Sequence, residues 1–335
     1  YGDHRDLHLS LRRQRQMCIR DSLNSPIDSS DQIWQWKELM TLITMIVAMI
    51  MLIPFSRFLL SQNIFNTLVK DVPKALPQQN KTSKIIFWII FFLGAFIASM
   101  SYIPMVDAAK VIFADAANRE LTWFYPQRMN NSVMLWAAFN GVIGLILFTG
   151  SYQFFGKKHG VSISSWGLEA DIKYIAKTFG LALTVFASYY ALLFLIYYIF
   201  HVDYRFWFMG VRIFQPEMLL VLAMYAPIFF IFFFSNSLRV NGAMRIKGQA
   251  EWKSMLIAGV ANSLGLFLII LLQYVTFALT GTVFWTTNWL SVNLLFAIVP
   301  MMFVLPYFNR YFFYMTGRVY LGPVSYTHLT LPTKA

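Results

Sequence analysis

Seven long apolar stretches limit what this chain can fold into. They run over about 39–60, 85–106, 132–155, 180–200, 218–234, 255–279 and 289–308, with polar segments between them. The hydrocarbon core of a bilayer is about 30 Å thick and takes about 20 apolar residues of helix. In lipid, each stretch must satisfy its own backbone hydrogen bonds, which a helix does and an open strand does not. The expectation is an all-α polytopic integral membrane bundle of about seven transmembrane helices, with no sheet. Charge agrees with this: 13% of the residues are Asp, Glu, Lys or Arg and 58% are hydrophobic, whereas soluble domains carry about a quarter charged residues.

The two ends of the chain read differently from the middle. Met17–Ser22 back-translates as ATG TGT ATA AGA GAC AGC, and Val324–Leu329 as GTC TCT TAT ACA CAT CTG. These strings are reverse complements across a shared core, which is the transposase end sequence of tagmentation libraries. The match extends outward through Arg12–Gln16 and Leu329–Thr333. Residues 1–22 and 323–335 are therefore expected to be translated adapter, set aside from the fold argument as a processing scar would be, with Val324 onward making no contact with the bundle. On this reading the one cysteine, Cys18, and three of the five histidines, His4, His8 and His328, are not native. The remaining text would be a fragment open at both ends: a polar linker at 23–38 and a transmembrane domain at 39–322.

Charge sets the expected orientation. The segment 23–322 holds 21 Lys and Arg against 12 Asp and Glu, an excess that a membrane protein keeps in cytoplasmic loops, so the expected partner is the lipid bilayer and not nucleic acid. Lys and Arg number five over 57–84, four over 156–178 and four over 235–254; the alternate loops hold three over 107–131, two over 201–217 and none over 280–288. This places the protein in the cytoplasmic membrane with Leu23 outside and Gly322 inside. Trp34 and Trp36 beside Lys37 and Glu38 suit the headgroup layer. Within the loop 156–178, Leu168, Ile172, Ile175 and Phe179 share one helical face, which suits either a helix lying in the interface or a connector packed on protein.

Candidate chemistry is sparse. No Asp, Glu, Lys, Arg or His falls at the centre of an apolar stretch, so no intramembrane ionisable group is expected. Asn140, Asn262, Gln273 and Asn293 read as interhelical hydrogen-bonding residues, and Gly141 and Gly144 as points of close helix approach. Asp107, Asp115, Glu120, His201 and Asp203 lie in loops of one membrane face. Of these, His201, Asp203, Asp107 and Glu120 are weak metal-ligand candidates, because a single histidine without paired spacing falls short of a metal motif. There is no G-x-S-x-G, no Walker A and no G-x-G-x-x-G. No catalytic residue and no cofactor is expected.

Two short segments carry a resemblance. Asp31-Gln32-Ile33-Trp34-Gln35-Trp36-Lys37-Glu38, set before an apolar span, resembles the junction in large bacterial membrane-anchored alpha/beta-hydrolase proteins, and Thr316-Gly317-Arg318-Val319-Tyr320-Leu321-Gly322 is similar to a late loop of the same proteins. The resemblance implies a hydrolase domain upstream of Leu23 in the same polypeptide, and an anchoring or substrate-access role for the helices seen here. The alternative is the membrane domain of a permease or exporter.

Overall fold

A computed structural model describes residues 34–75, 81–168, 171–200, 204–206, 209–211 and 218–329. Among the described residues, seven long helices cross the molecule: α1 (Trp34–Leu60), α2 (Lys81–Ile112), α3 (Arg128–Ser151), α4 (Ile172–Phe200), α5 (Met218–Leu238), α6 (Glu251–Thr280) and α7 (Trp289–Thr316); a shorter α8 (Leu321–Leu329) follows. All seven are long and apolar enough to cross a membrane. The chain is an all-α, multi-pass membrane helix bundle. Its outer faces are apolar, as lipid contact requires: Trp88, Phe92 and Phe96 of α2 are 45%, 59% and 61% exposed.

The helices are longer than the apolar stretches, mainly at one end. The loop segments 61–75 and 152–168, the segment 239–250 and residues 317–329 share that end, which we term the basic end. The helix α6 has 30 residues, about 45 Å at 1.5 Å per residue, against about 30 Å of hydrocarbon. Hydropathy marks only the lipid-buried part of a helix, and the first charged residue ends the run although the helix goes on. Thus Asp107 and Lys110 belong to α2, and Asn309 and Arg310 belong to α7.

Packing is set by small residues at mid-height. α2 is flanked by α3 and α6, α3 packs on α5, and α6 on α7. A Cβ placed on Gly141 of α3 would lie 2.9 Å from Phe232 Cα of α5, and one on Gly265 of α6 would lie 2.6 Å from the Ala95 carbonyl oxygen of α2. Gly144 approaches Ser235 in the same way. The close approach expected of Gly141 and Gly144 is present. Three of the four amides also link helices as expected: Asn140 Nδ2 donates to Ser101 Oγ at 3.1 Å, Asn262 Nδ2 to Asn236 Oδ1 at 3.1 Å, and Asn293 Oδ1 accepts from Tyr274 OH at 2.9 Å. Gln273 instead caps a loop, its Oε1 accepting from the Trp285 amide at 2.8 Å.

Three expectations are corrected. The loop between α4 and α5 holds a small antiparallel pair, β1 (Tyr204–Phe206) with β2 (Met209–Val211), where no sheet was expected. The strands pair with each other, β1 lies against α1, and two β-prone segments two residues apart suit a hairpin. The helical face through Leu168, Ile172, Ile175 and Phe179 is not a separate helix. Ile172 begins α4, one 29-residue helix, and Leu168 precedes it in a turn packed beside Val319 and Phe313. Finally, the chain after Gly322 does touch the bundle. Leu321 is buried in the main core, Val324 packs against that core three residues on, and Ser325 is buried. Leu321 anchors the first turn of α8, and the i+3 and i+4 positions follow it inward. Residues 1–33 and 330–335 lie outside the described residues.

Candidate functional site: a cavity with an intramembrane arginine

The mid-height contacts close the bundle on one side and leave it open on the other. Towards the basic end, α2, α3, α5 and α6 enclose a cavity of about 270 Å3. It runs from Thr82, Tyr152 and Ile246 at the basic end to Trp136 and Met302 at mid-height. Beyond it, Trp136 Nε1 donates to the Ala98 carbonyl at 2.9 Å and seals α2 to α3. Its walls are mainly apolar, with Ile90 and Phe91 from α2 and Ile143 and Leu147 from α3.

The polar part of the lining comes from α5 and α6. Where α5 ends, the helix widens into a π-turn, Arg239–Ala243. π-Turns of this kind recur at functional sites. Arg239 donates through Nη2 to Asn262 Oδ1, which belongs to α6. Its Nη1 reaches α2, 3.8 Å from where a Cβ on Gly94 would be. Gly94, Asn236 and Asn262 each stand eighteen residues from the opposite-end terminus of their helices, Ile112, Met218 and Thr280. That is about 27 Å of helix. Three helices therefore agree that the guanidinium lies well inside the bundle, about two thirds of the way across. No ionisable group was expected at the centre of a span; Arg239 sits near the end of the span Leu219–Ala243, but its guanidinium reaches in to the level of Gly94 and Asn262.

Arg239 has no carboxylate partner among the described residues. Its Nε is buried with no hydrogen-bond partner, and so are Asn236 Nδ2 and Trp166 Nε1. All three residues line the cavity. Trp166 arrives from the loop after α3. A 3-10 turn, Ile163–Trp166, drops the indole against Phe148 at 3.9 Å between centroids, and against Gly242 of the π-turn. Unpaired buried donors are costly, and here three of them belong to residues that line one cavity.

Two further arginines lie close by and serve a different end. Arg310 of α7 is buried; it pairs with Glu251 at 2.9 Å and donates to the Val240 carbonyl, inside the π-turn, at 2.9 Å. Arg245 stacks on the Phe313 ring, 4.7 Å from its centroid. Burial, together with the Arg310 charge, lowers the Arg245 pKa to about 10, which leaves it cationic at neutral pH. These contacts fix the π-turn against α6 and α7.

Of the metal-ligand candidates, the two that are described, Asp107 and Glu120, belong to no group of three His, Cys, Asp or Glu. Asp107 Oδ1 is taken by Lys110 Nζ at 2.8 Å and Asn288 Nδ2 at 3.1 Å, at the opposite end. Glu120 is exposed beyond α2, its amide bonded to the Asp115 carbonyl. His201 and Asp203 lie outside the described residues. Among the described residues, no three His, Cys, Asp or Glu side chains come together. Sequence reasoning missed Arg239, Asn236 and Trp166. The signal for Arg239 was its place directly after the apolar run, within reach of Asn262. No known protein family, curated protein or solved structure matches the chain.

Proposed function

We propose that this chain is the membrane-embedded substrate-access domain of a bacterial alpha/beta-hydrolase whose catalytic part lies upstream, and that the cavity between α2, α3, α5 and α6 is where a substrate waits. One observation carries the substrate-handling role: an apolar cavity within the bundle that holds an arginine with no acidic partner among the described residues. A helix bundle that only anchored a neighbour would gain nothing from such a group, since intramembrane charge is costly and marks ligand pathways. The link to a hydrolase rests on the segments Asp31–Glu38 and Thr316–Gly322. Orientation follows from the charge bias, with the basic end in the cytoplasm of a cytoplasmic membrane.

The permease or exporter reading has one observation in its favour. The cavity reaches the basic end, whereas α1 starts from the opposite end, where an upstream domain would enter. Two measurements separate the readings. A G-x-S-x-G motif encoded upstream of Leu23 supports the hydrolase; a nucleotide-binding domain there, or solute flux in proteoliposomes of this chain, supports the permease. Substrate access itself is tested by photo-cross-linking a diazirine fatty acid in nanodiscs. Adducts on Ile90, Ile143 and Leu147 support the cavity, and adducts confined to the lipid face of α2, at Trp88 and Phe92, refute it.

A further inference from the structure

We infer that the cavity selects an organic monoanion, a carboxylate on an apolar body of roughly ten non-hydrogen atoms, and that Arg239 and Asn236 are its specificity-determining residues. The inference rests on the cavity being a substrate chamber, and adds the chemistry of what enters it.

Size comes first. A volume of about 270 Å3 lies just below the usual range for ligand pockets, which suits a compact body of roughly ten non-hydrogen atoms. It is too small to take in a whole diacyl lipid. Charge comes next. Arg239 supplies one positive charge, with no carboxylate partner among the described residues, at a depth where a bare charge is expensive. A monoanion neutralises it, whereas a phosphate monoester, carrying about −1.5 to −2 at neutral pH, leaves charge uncompensated. Geometry is third. Arg239 Nε and Asn236 Nδ2 are unpaired buried donors, and Asn236 is held in place through Oδ1 by Asn262, which also accepts from Arg239. Asn262 thus ties Arg239 and Asn236 into one network on the cavity wall, and the Nη1 side of the guanidinium, toward Gly94 of the lining, is what an anion would meet. The apolar body then lies against Phe91 and Leu147.

The test is competition against the diazirine fatty acid, with the full chain in nanodiscs. Octanoate, octanol, octyl phosphate and acetate are the competitors. Octanoate should displace the label roughly 10- to 100-fold better than octanol, the range expected for a charge-assisted hydrogen bond. Octyl phosphate should fall below octanoate, and acetate, lacking the apolar body, should not compete. Arg239→Gln should bring the octanoate-to-octanol ratio close to one without weakening octanol, and Arg239→Lys should restore part of it. Asn236→Leu, which leaves Arg239 intact, should lower the ratio several-fold. Equal displacement by octanol and octanoate in the unmutated protein overturns this inference and leaves substrate access standing. An Arg239→Gln protein of unchanged thermal stability that still prefers octanoate also overturns it. Absence of any cavity label refutes the access reading itself.

Discussion

Arg310 and Arg239 are both drawn into the bundle near the basic end, from neighbouring helices, and their surroundings differ. Arg310 meets a carboxylate and the Val240 carbonyl. Among the described residues, Arg239 meets the Asn262 amide and otherwise open space. Each leaves its Nε without a partner, so the contrast lies in charge and room: one cation is neutralised in place, and the other faces a cavity. A cation completed by its own chain is a fastening. A cation left incomplete at similar cost is reserved for something outside the chain.

The comparison can be broken by stability measurements. Arg310→Met removes a fastened cation, leaves the Val240 carbonyl unpaired and frees Glu251. It should destabilise by about 3 kcal/mol, read as a fall in the unfolding midpoint in detergent. Gly141→Ala tests the mid-height seal beside the cavity. The added Cβ meets Phe232 backbone, which cannot swing aside, so a cost of about 2 kcal/mol is expected. Arg239→Gln should cost less than about 1 kcal/mol, because glutamine can still donate to Asn262 and relieves an intramembrane charge. If Arg239→Gln and Arg310→Met destabilise equally, both arginines are fastenings and the distinction fails. The smallest effect belongs to Asn140→Leu, which breaks one interhelical bond to Ser101 and should cost about 0.6 kcal/mol.

The architecture was legible because lipid leaves a chain few options. Seven apolar stretches became seven helices, and Gly141, Gly144, Asn140, Asn262 and Asn293 took the interhelical contacts their types suggested. The cavity was not legible. Hydropathy stops at the first charge, so Arg239 was counted with a loop although it continues α5, and Arg310 was placed beyond α7 although it is inside it. Asn236 and Trp166 carry no signal of their own: their donors matter only because Asn262 and Phe148, remote in sequence, position them. The hairpin at Tyr204–Val211 was missed because hydropathy marks helical spans and carries no signal for strand pairing between them.

The π-turn at Arg239–Ala243 has a consequence for how this protein tolerates length change. Such a turn accommodates one residue more than the α-helical repeat. Loss of a single codon within it would let the helix close as ordinary α and leave the phase of the chain beyond nearly unchanged. Loss of a codon in the regular part of α5 has no such remedy: the stretch between the gap and the turn rotates by about 100°, and Asn236 would leave Asn262. One-residue deletions within 239–243 should therefore be better tolerated than deletions over 228–235, with no change to the number of spans in either case. A deletion scan through 228–250 scored for folded protein would show a boundary where the turn begins.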